Sequence, residues 1–298
     1  LISGIRSAIM TAILLTAIGI MNNAIVTSGV GNSFSLMIAQ WSQGSLALAI
    51  VLIGVASLVL GMGLPVTAAY IILAILTAPA LAGLMADGLI VEQLVTGISD
   101  PAKSGLFFLV EHPLVAQVAT GMSKAEAWEL VRNIPFEIAV TIRPALVDPS
   151  LQTTFLLTAH LIIFWLSQDS NVTPPVCLAA FAAAGIAGSR PMATGFESWK
   201  IAKGLYIVPL LFAYTPLVSG DLIEVLQIGF FALFGIYATN ALIQWYAEGP
   251  IGIFAASLLV LGAVGAYWPL ALLPNIAGAV IVLTVIVLSS RQNRYQSQ

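Results

Sequence analysis

Charge is what this sequence has least of. Only 8% of its 298 residues are Asp, Glu, Lys or Arg, against roughly 25% in an ordinary soluble domain. Between Leu1 and Ala86 the sole charged residue is Arg6. A water-soluble protein could not cover its surface with so little charge, so the surrounding medium must be largely lipid. The net charge is −3 and Lys and Arg form no cluster, which excludes a nucleic-acid partner. Cys177 stands alone, which excludes an internal disulfide and a cysteine metal site. Also lacking are an initiator Met and a charged stretch ahead of the first apolar run. The chain therefore reads as a piece of a longer polypeptide, not as a complete product with a signal peptide.

What is there is apolar: 59% of the residues are hydrophobic and the mean hydropathy is +1.02. Apolar runs fall at about 8–27, 34–60, 65–86, 155–166, 172–188, 204–219, 222–245, 251–268 and 270–289. The last four are expected to span, since a crossing takes roughly 20 residues. Residues 87–150 differ in kind. They hold eight acids (Asp87, Glu92, Asp100, Glu111, Glu126, Glu129, Glu137, Asp148) and four bases (Lys103, Lys124, Arg132, Arg143). "SDPAK" offers Asp100 as an N-cap before Pro101, and "SKAEAWEL" is a capping box of Ser123 and Glu126. This segment is expected to form short amphipathic helices outside the bilayer or at its interface, with a merely polar connector as the alternative.

Within the apolar background two interruptions stand out. "SQDSNVTPPV" (167–176) separates two runs that are each too short to cross comfortably. Phe155–Leu166 as a helix covers ~18 Å of a hydrocarbon layer ~30 Å thick. Together the arms predict a re-entrant hairpin whose tip, 167–175, lies near the membrane midplane, where irregular backbone persists only if buried in protein or lining a cavity. Pro174 and Pro175 have no N–H, which leaves the carbonyls of Ser170 and Asn171 free, and Thr173 is pushed away from helical geometry. The first arm would thus offer oxygens to a hard cation, with Ser170, Asn171 and Thr173 as ligands. The second, starting at Pro174, would point a helix N-terminus at an anionic substrate, with Asp169, Thr173, Pro174 and Pro175 beside it. "GMGLPVT" (61–67) repeats the logic. Pro65 frees the Gly61 carbonyl, Gly61 and Gly63 permit unwinding, and Thr67 adds a hydroxyl. A Pro-kinked helix with small residues for packing is the plainer alternative, but two such breaks favour an ion or substrate site.

"LVLGMGLPVTAAYIILAILTAPAL" (58–81) resembles a signature of the large membrane subunit of tripartite ATP-independent periplasmic (TRAP) transporters. "NVTPPVCLAAFAAAGIAGSRPMATGF" (171–196) and the "GLYIVPLLFAYTPL" after it resemble the fused-permease branch that works with TAXI-type binding proteins. The resemblance covers roughly 1–86 and 156–245. It implies an all-α integral membrane protein of the elevator kind, built from inverted repeats that each carry a re-entrant hairpin and a discontinuous helix. It further implies import of a small, dicarboxylate-like organic acid delivered by a periplasmic substrate-binding protein and driven by a cation gradient. The chain departs from the family in two ways. Only one hairpin and one broken helix are evident, so it resembles the second repeat and C-terminal tail, with the remaining half of the permease as a partner. Residues 87–154 are a long insertion where the family has a short loop.

The expected organisation is transmembrane segments over 1–86 with a broken helix at 61–65, the insertion over 87–154, the hairpin over 155–188, and an interfacial helix with C-terminal transmembrane helices over 189–298. A multi-pass protein of a bacterial or archaeal inner membrane, in contact with lipid, follows. No cofactor is expected beyond Na⁺ as coupling ion, because neutral oxygens suit Na⁺ and only Asp169 and His160 could titrate nearby. Asp169 reads either as a cation ligand or proton carrier, or as a solvated tip residue. His160 reads as a proton relay or a packed histidine. Lys200 and Lys203 read as snorkelling residues, and Trp128, Trp165, Trp245 and Trp268 as interfacial belts. Charge asymmetry places 87–154 and 189–203 on the cytoplasmic face. Two other classes remain: an intramembrane hydrolase, for which His160 with Ser167 or Ser170 has no second acid in an obvious motif, and a structural subunit, which would not need polar tips.

Overall fold

The computed structural model describes residues 27–62, 64–175 and 177–296, with 9, 12, 13, 16, 17, 19–21 and 23–25 before them. Gly63, one of the proposed ligands, lies outside the described residues. Among those described there is no strand, only an isolated bridge between Tyr246 and Pro250. The protein is an all-α membrane protein. The chain divides into two compact units, Leu1–Ala56 with Thr67–Ile163, and Ser57–Val66 with Phe164–Gln298.

The first unit contains α1 (Val30–Ser42), most of α2 (Leu46–Gly61) and α3 (Val66–Thr96). At 31 residues α3 is long enough to cross and, at ~1.5 Å per residue, to project well beyond a ~30 Å layer. The projecting end founds the insertion. There follow α4 (Pro101–Gly105), two 3₁₀ turns (Leu106–Leu109 and Pro113–Gln117), α5 (Lys124–Arg132) and α6 (Phe136–Leu146). They close a hydrophobic core in which Ile90 and Leu94 of α3 meet Phe107, Leu130 and Ile142, each burial stabilising by about 1.5–3 kcal/mol. This segment thus shares a hydrophobic core with the end of α3. Both expected caps form: Asp100 accepts from the Ala102 N–H at 2.9 Å, and Ser123 and Glu126 make the reciprocal capping box. Gly97 and Gly121 hold φ of 86° and 92°. A Cβ on either would stand 2.8 Å from a backbone carbonyl of the other's segment, so only glycine lets 94–98 and 118–122 pair.

One ion pair ties α6 to α3. Arg143 donates from Nε and Nη2 to the two oxygens of Asp87, both at 2.9 Å. Its guanidinium rests where Gly83 carries no Cβ; one placed there would be 3.1 Å from Nη1. Next comes α7 (Pro149–Ser167). It starts six residues earlier than its apolar run because Asp148 accepts from the Ser150 N–H and hydroxyl. With the 3₁₀ turn Gln168–Asn171 it forms 23 continuous helical residues, long enough to cross by itself. Inside the first unit His160 Nδ1 lies 3.1 Å from the Tyr70 hydroxyl.

The second unit holds the 3₁₀ turn, α8 (Leu178–Ala187), α9 (Pro191–Ile201), α10 (Gly204–Tyr214), α11 (Leu222–Gln244), α12 (Ile253–Ala266) and α13 (Leu272–Gln296). Of the four runs expected to span, two give candidate spans, Leu222–Gln244 and Leu272–Arg291. The other two are shorter. In 204–219 the helix stops after 11 residues, because Pro216 forces Thr215 into extended geometry. In 251–268 it has 14 residues, starting after Gly252 and ending before Pro269. One face of α11 exposes Leu222, Leu226, Phe230 and Leu233, a stripe at helical spacing that lipid would cover. Between α12 and α13 the backbones approach closely at Gly262, Gly265 and Gly278; a Cβ on Gly265 would be 2.8 Å from the Pro274 carbonyl. Asn275, 3% exposed, stitches all three helices. Its Nδ2 donates to the carbonyls of Gly265, Ala266 and Trp268 at 2.8–3.2 Å, and its Oδ1 accepts from Gln227 Nε2 at 3.0 Å.

Candidate functional site

The second unit brings the two sequence interruptions together. Its short segment 57–66 carries the end of α2 and the break before α3, and the 167–175 tip packs against it. Gly61 is the point of contact. A Cβ built on it would be 2.9 Å from Ser170 Cβ, 3.2 Å from Ser170 Cα and 3.4 Å from Ser170 N. Glycine is therefore required for the broken helix to reach the tip. Pro65, four residues on, has no N–H for the Gly61 carbonyl.

At the tip, the Ser170 hydroxyl donates to the Ser167 carbonyl at 3.1 Å, and Asn171 Nδ2 donates to Gln168 Oε1 at 3.3 Å. The backbone N–H groups of Val172 and Thr173 both turn to the Asp169 carbonyl, at 3.1 and 2.9 Å. The prolines lie in a turn, with a cis peptide between Pro174 and Pro175. One expectation is corrected here. The second arm begins at Leu178, not at Pro174, because a residue preceding proline disfavours helical geometry and both Thr173 and Pro174 do so. Pro174 and Pro175 therefore mark no helix N-terminus. Thr67 is exposed in the first turn of α3 and belongs to the other unit.

Asp169 is the centre of the arrangement. It is 2% exposed, which removes the solvated-tip alternative. Its Oδ1 accepts from the Tyr206 hydroxyl at 2.5 Å, while Oδ2 is buried with no hydrogen-bond partner among the described residues. The Tyr206 oxygen in turn accepts from Trp199 Nε1 at 3.3 Å. The Thr173 hydroxyl lies near the same phenol without a well-formed bond, so its oxygen is also unsatisfied. Lys203 does not snorkel freely: its Nζ sits 3.3 Å from the centroid of the Trp199 ring and 5.4 Å from that of Tyr206. Burial pushes its ammonium below the ordinary value, and the Asp169 charge pulls it back.

A buried carboxylate with a naked oxygen is costly unless it is protonated or faces a cation. Asp169 Oδ2 and the Thr173 hydroxyl are two buried oxygens of the tip without a hydrogen-bond partner among the described residues. Lys203, held over Trp199 and Tyr206, is thus the positive charge that acts on Asp169. Of the expected residues, the structure brings Asp169, Ser170, Asn171 and Thr173 together at the tip with Gly61 against them, and beside them it places Trp199 and Tyr206, which the sequence reading did not name. The signal was available: Trp199, Lys203 and Tyr206 recur at spacings of four and three, one helical face of polar-capable groups in an apolar stretch.

The family model of the Tripartite ATP-independent periplasmic transporter, DctM component, matches residues 1–218, which include every residue of this site. No curated protein and no solved structure is matched.

Proposed function

Because the chain belongs to the DctM component family of tripartite ATP-independent periplasmic transporters, a family of transport proteins and not of enzymes, we propose that it is the C-terminal half of a permease of the fused, TAXI-associated branch. In this reading it imports a small organic acid across a bacterial or archaeal inner membrane. A periplasmic binding protein delivers the cargo, the remaining half of the permease completes the path, and a Na⁺ gradient drives it. The 155–188 segment acts as a re-entrant hairpin, its tip closing on the break at 61–65.

The observation that carries this reading is Asp169, buried at the tip with one oxygen bonded to Tyr206 and the other without a hydrogen-bond partner among the described residues. A coupling ion must bind where the protein leaves ligands unsatisfied and release when they move apart, and the contact of Gly61 with Ser170 supplies such a joint. Na⁺ is favoured over H⁺ because Ser170, Asn171 and Thr173, next to Asp169 in the tip, bring neutral oxygens, which suit Na⁺.

The test is uptake of a labelled dicarboxylate into proteoliposomes holding the intact transporter and its binding protein. Asp169→Asn, Asn171→Ala and Thr173→Ala are each expected to raise the Na⁺ concentration for half-maximal uptake. Loss of one ligand from a buried polar site costs on the order of 1–3 kcal/mol, or roughly 5- to 150-fold. Uptake that follows a pH gradient without Na⁺, is abolished by Asp169→Asn and is indifferent to Thr173→Ala would replace Na⁺ with a proton carried by Asp169.

A further inference from the structure

A separate cavity lies away from that site, wholly within the first unit. It is a cleft of about 520 Å³ between α1, α3 and the insertion helices α5 and α6. Its lining is mixed on both sides, with Val131, Ile134 and Ala139 adding apolar surface from the insertion. Leu36 and Ala39 of α1 and Leu84 of α3 make an apolar wall on helices of the membrane part. Arg132 and Asn133, at the end of α5, make a polar rim on the insertion, with Gln40 and Gln43 at the end of α1 beside them.

The charges of the cleft do not cancel. The Arg143 guanidinium is spent on Asp87. Arg132, exposed at the rim, has no carboxylate partner among the described residues and lies 5.8 Å from the centroid of the Trp128 ring. That leaves one uncompensated cation, oriented by an aromatic face and flanked by neutral amides. The stacking depends on Gly44, whose φ is +79°; a Cβ there would be 3.2 Å from the Trp128 ring and 3.4 Å from Arg132 Nε. The turn after α1 thus passes close enough to brace the Trp128–Arg132 pair over the opening.

From this we infer that the cleft is a binding site for an anionic phospholipid, its phosphate on Arg132 and the adjoining amides and its acyl chain along Leu36, Ala39 and Leu84. An anionic head with an apolar tail matches a cavity that sets Arg132 and those amides beside the apolar lining of Leu36, Ala39, Leu84, Val131 and Ile134. A small free anion would satisfy Arg132 but leave that lining uncovered. Such a lipid would bridge the insertion to α1 and α3 and give the insertion a role independent of cargo.

The experiment uses the purified full-length transporter in nanodiscs of mixed phosphatidylglycerol and phosphatidylcholine, with retained lipid counted by native mass spectrometry. Phosphatidylglycerol is expected to be retained over phosphatidylcholine, and Arg132→Gln to weaken that retention on the order of fivefold, the effect of one basic side chain on an anionic lipid. Arg132→Lys should keep most of it, and Lys103→Gln, a basic residue outside the cleft, all of it. Equal retention of the two lipids, or retention unchanged by Arg132→Gln, overturns the proposal. If soluble glycerol phosphate displaces the lipid at equal concentration, the cleft takes a free organophosphate and the lipid assignment falls. Because the readout is lipid retention, failure here leaves the cation site untouched, and the reverse holds too.

Discussion

Gly61→Ala isolates the joint between broken helix and tip with a single carbon. The new Cβ would start 2.9 Å from Ser170 Cβ, where two carbons prefer roughly 3.5–4.0 Å. Neither partner is the end of a flexible side chain, so backbone must give by at least about 0.6 Å. Overpacking of this kind costs about 1–3 kcal/mol. If the cation-bound state is the one that requires Gly61 against Ser170, the whole cost falls on binding, and half-maximal uptake should need roughly 5- to 150-fold more cation. Ser170→Gly removes the nearest obstacle but not Ser170 Cα at 3.2 Å, so the double variant should recover part of the loss. Gly185→Ala is the control, since a Cβ there meets nothing within 4 Å. Cation titration of uptake in proteoliposomes, with membrane insertion checked by detergent-extracted yield, reads all four proteins. An unchanged half-saturating concentration in Gly61→Ala, or no recovery on adding Ser170→Gly, would refute the joint.

Arg143→Met leaves the mostly buried Asp87 without its partner. Removing one member of a buried pair costs about 3–5 kcal/mol, or roughly 6–20 °C in melting temperature by fluorescence-detected unfolding; a shift within 2 °C, roughly, of the parent would show that the pair contributes nothing. Single cysteines at Gln152 and Ser189, in a Cys177→Ala background, should label from the same side of the membrane if 155–188 is re-entrant, and labelling from opposite sides removes the hairpin. The Glu126 carboxyl, outside the membrane-spanning helices, is held below its ordinary 4.5 chiefly by the Ser123 side chain and then its backbone N–H. A lowered folded-state value means its contribution is full above 4.5 and fades as pH falls through the lowered value. Protection factors of the α5 amides, which correct for the pH dependence of intrinsic exchange, should therefore fall in acid in the parent and change less in Ser123→Ala; protection that rises in acid contradicts the assignment.

The breaks were legible because they are written in backbone chemistry. Proline and glycine at 61–65 and the doubled proline at 174–175 dictate where helices stop, whatever surrounds them. The caps at Asp100 and Ser123 are equally local. The start of α7 was hidden because hydropathy counts Gln152, Thr153 and Thr154 as polar. In the fold these side chains bond back to carbonyls at Val147, Pro149 and Ser150 and cost the helix little. The run 204–219 misled in the opposite sense: its composition suits a span, but Pro216 ends the helix. The partners that matter most, Asp169 with Tyr206 and Asp87 with Arg143, stand 37 and 56 residues apart. No local pattern encodes such pairings, which exist only once the helices have packed.

Asn275 has a consequence for how the chain is made. Its amide joins α13 to elements that all precede it, since the carbonyls of Gly265, Ala266 and Trp268 and the Gln227 side chain lie earlier in the chain. A chain made in order therefore completes α11 and α12 before the group that ties them together exists. Gln227 Nε2 and the Ala266 and Trp268 carbonyls gain their Asn275 partner only when α13 packs. One late asparagine thus sets an order of assembly at this corner, with the last helix locking the two before it.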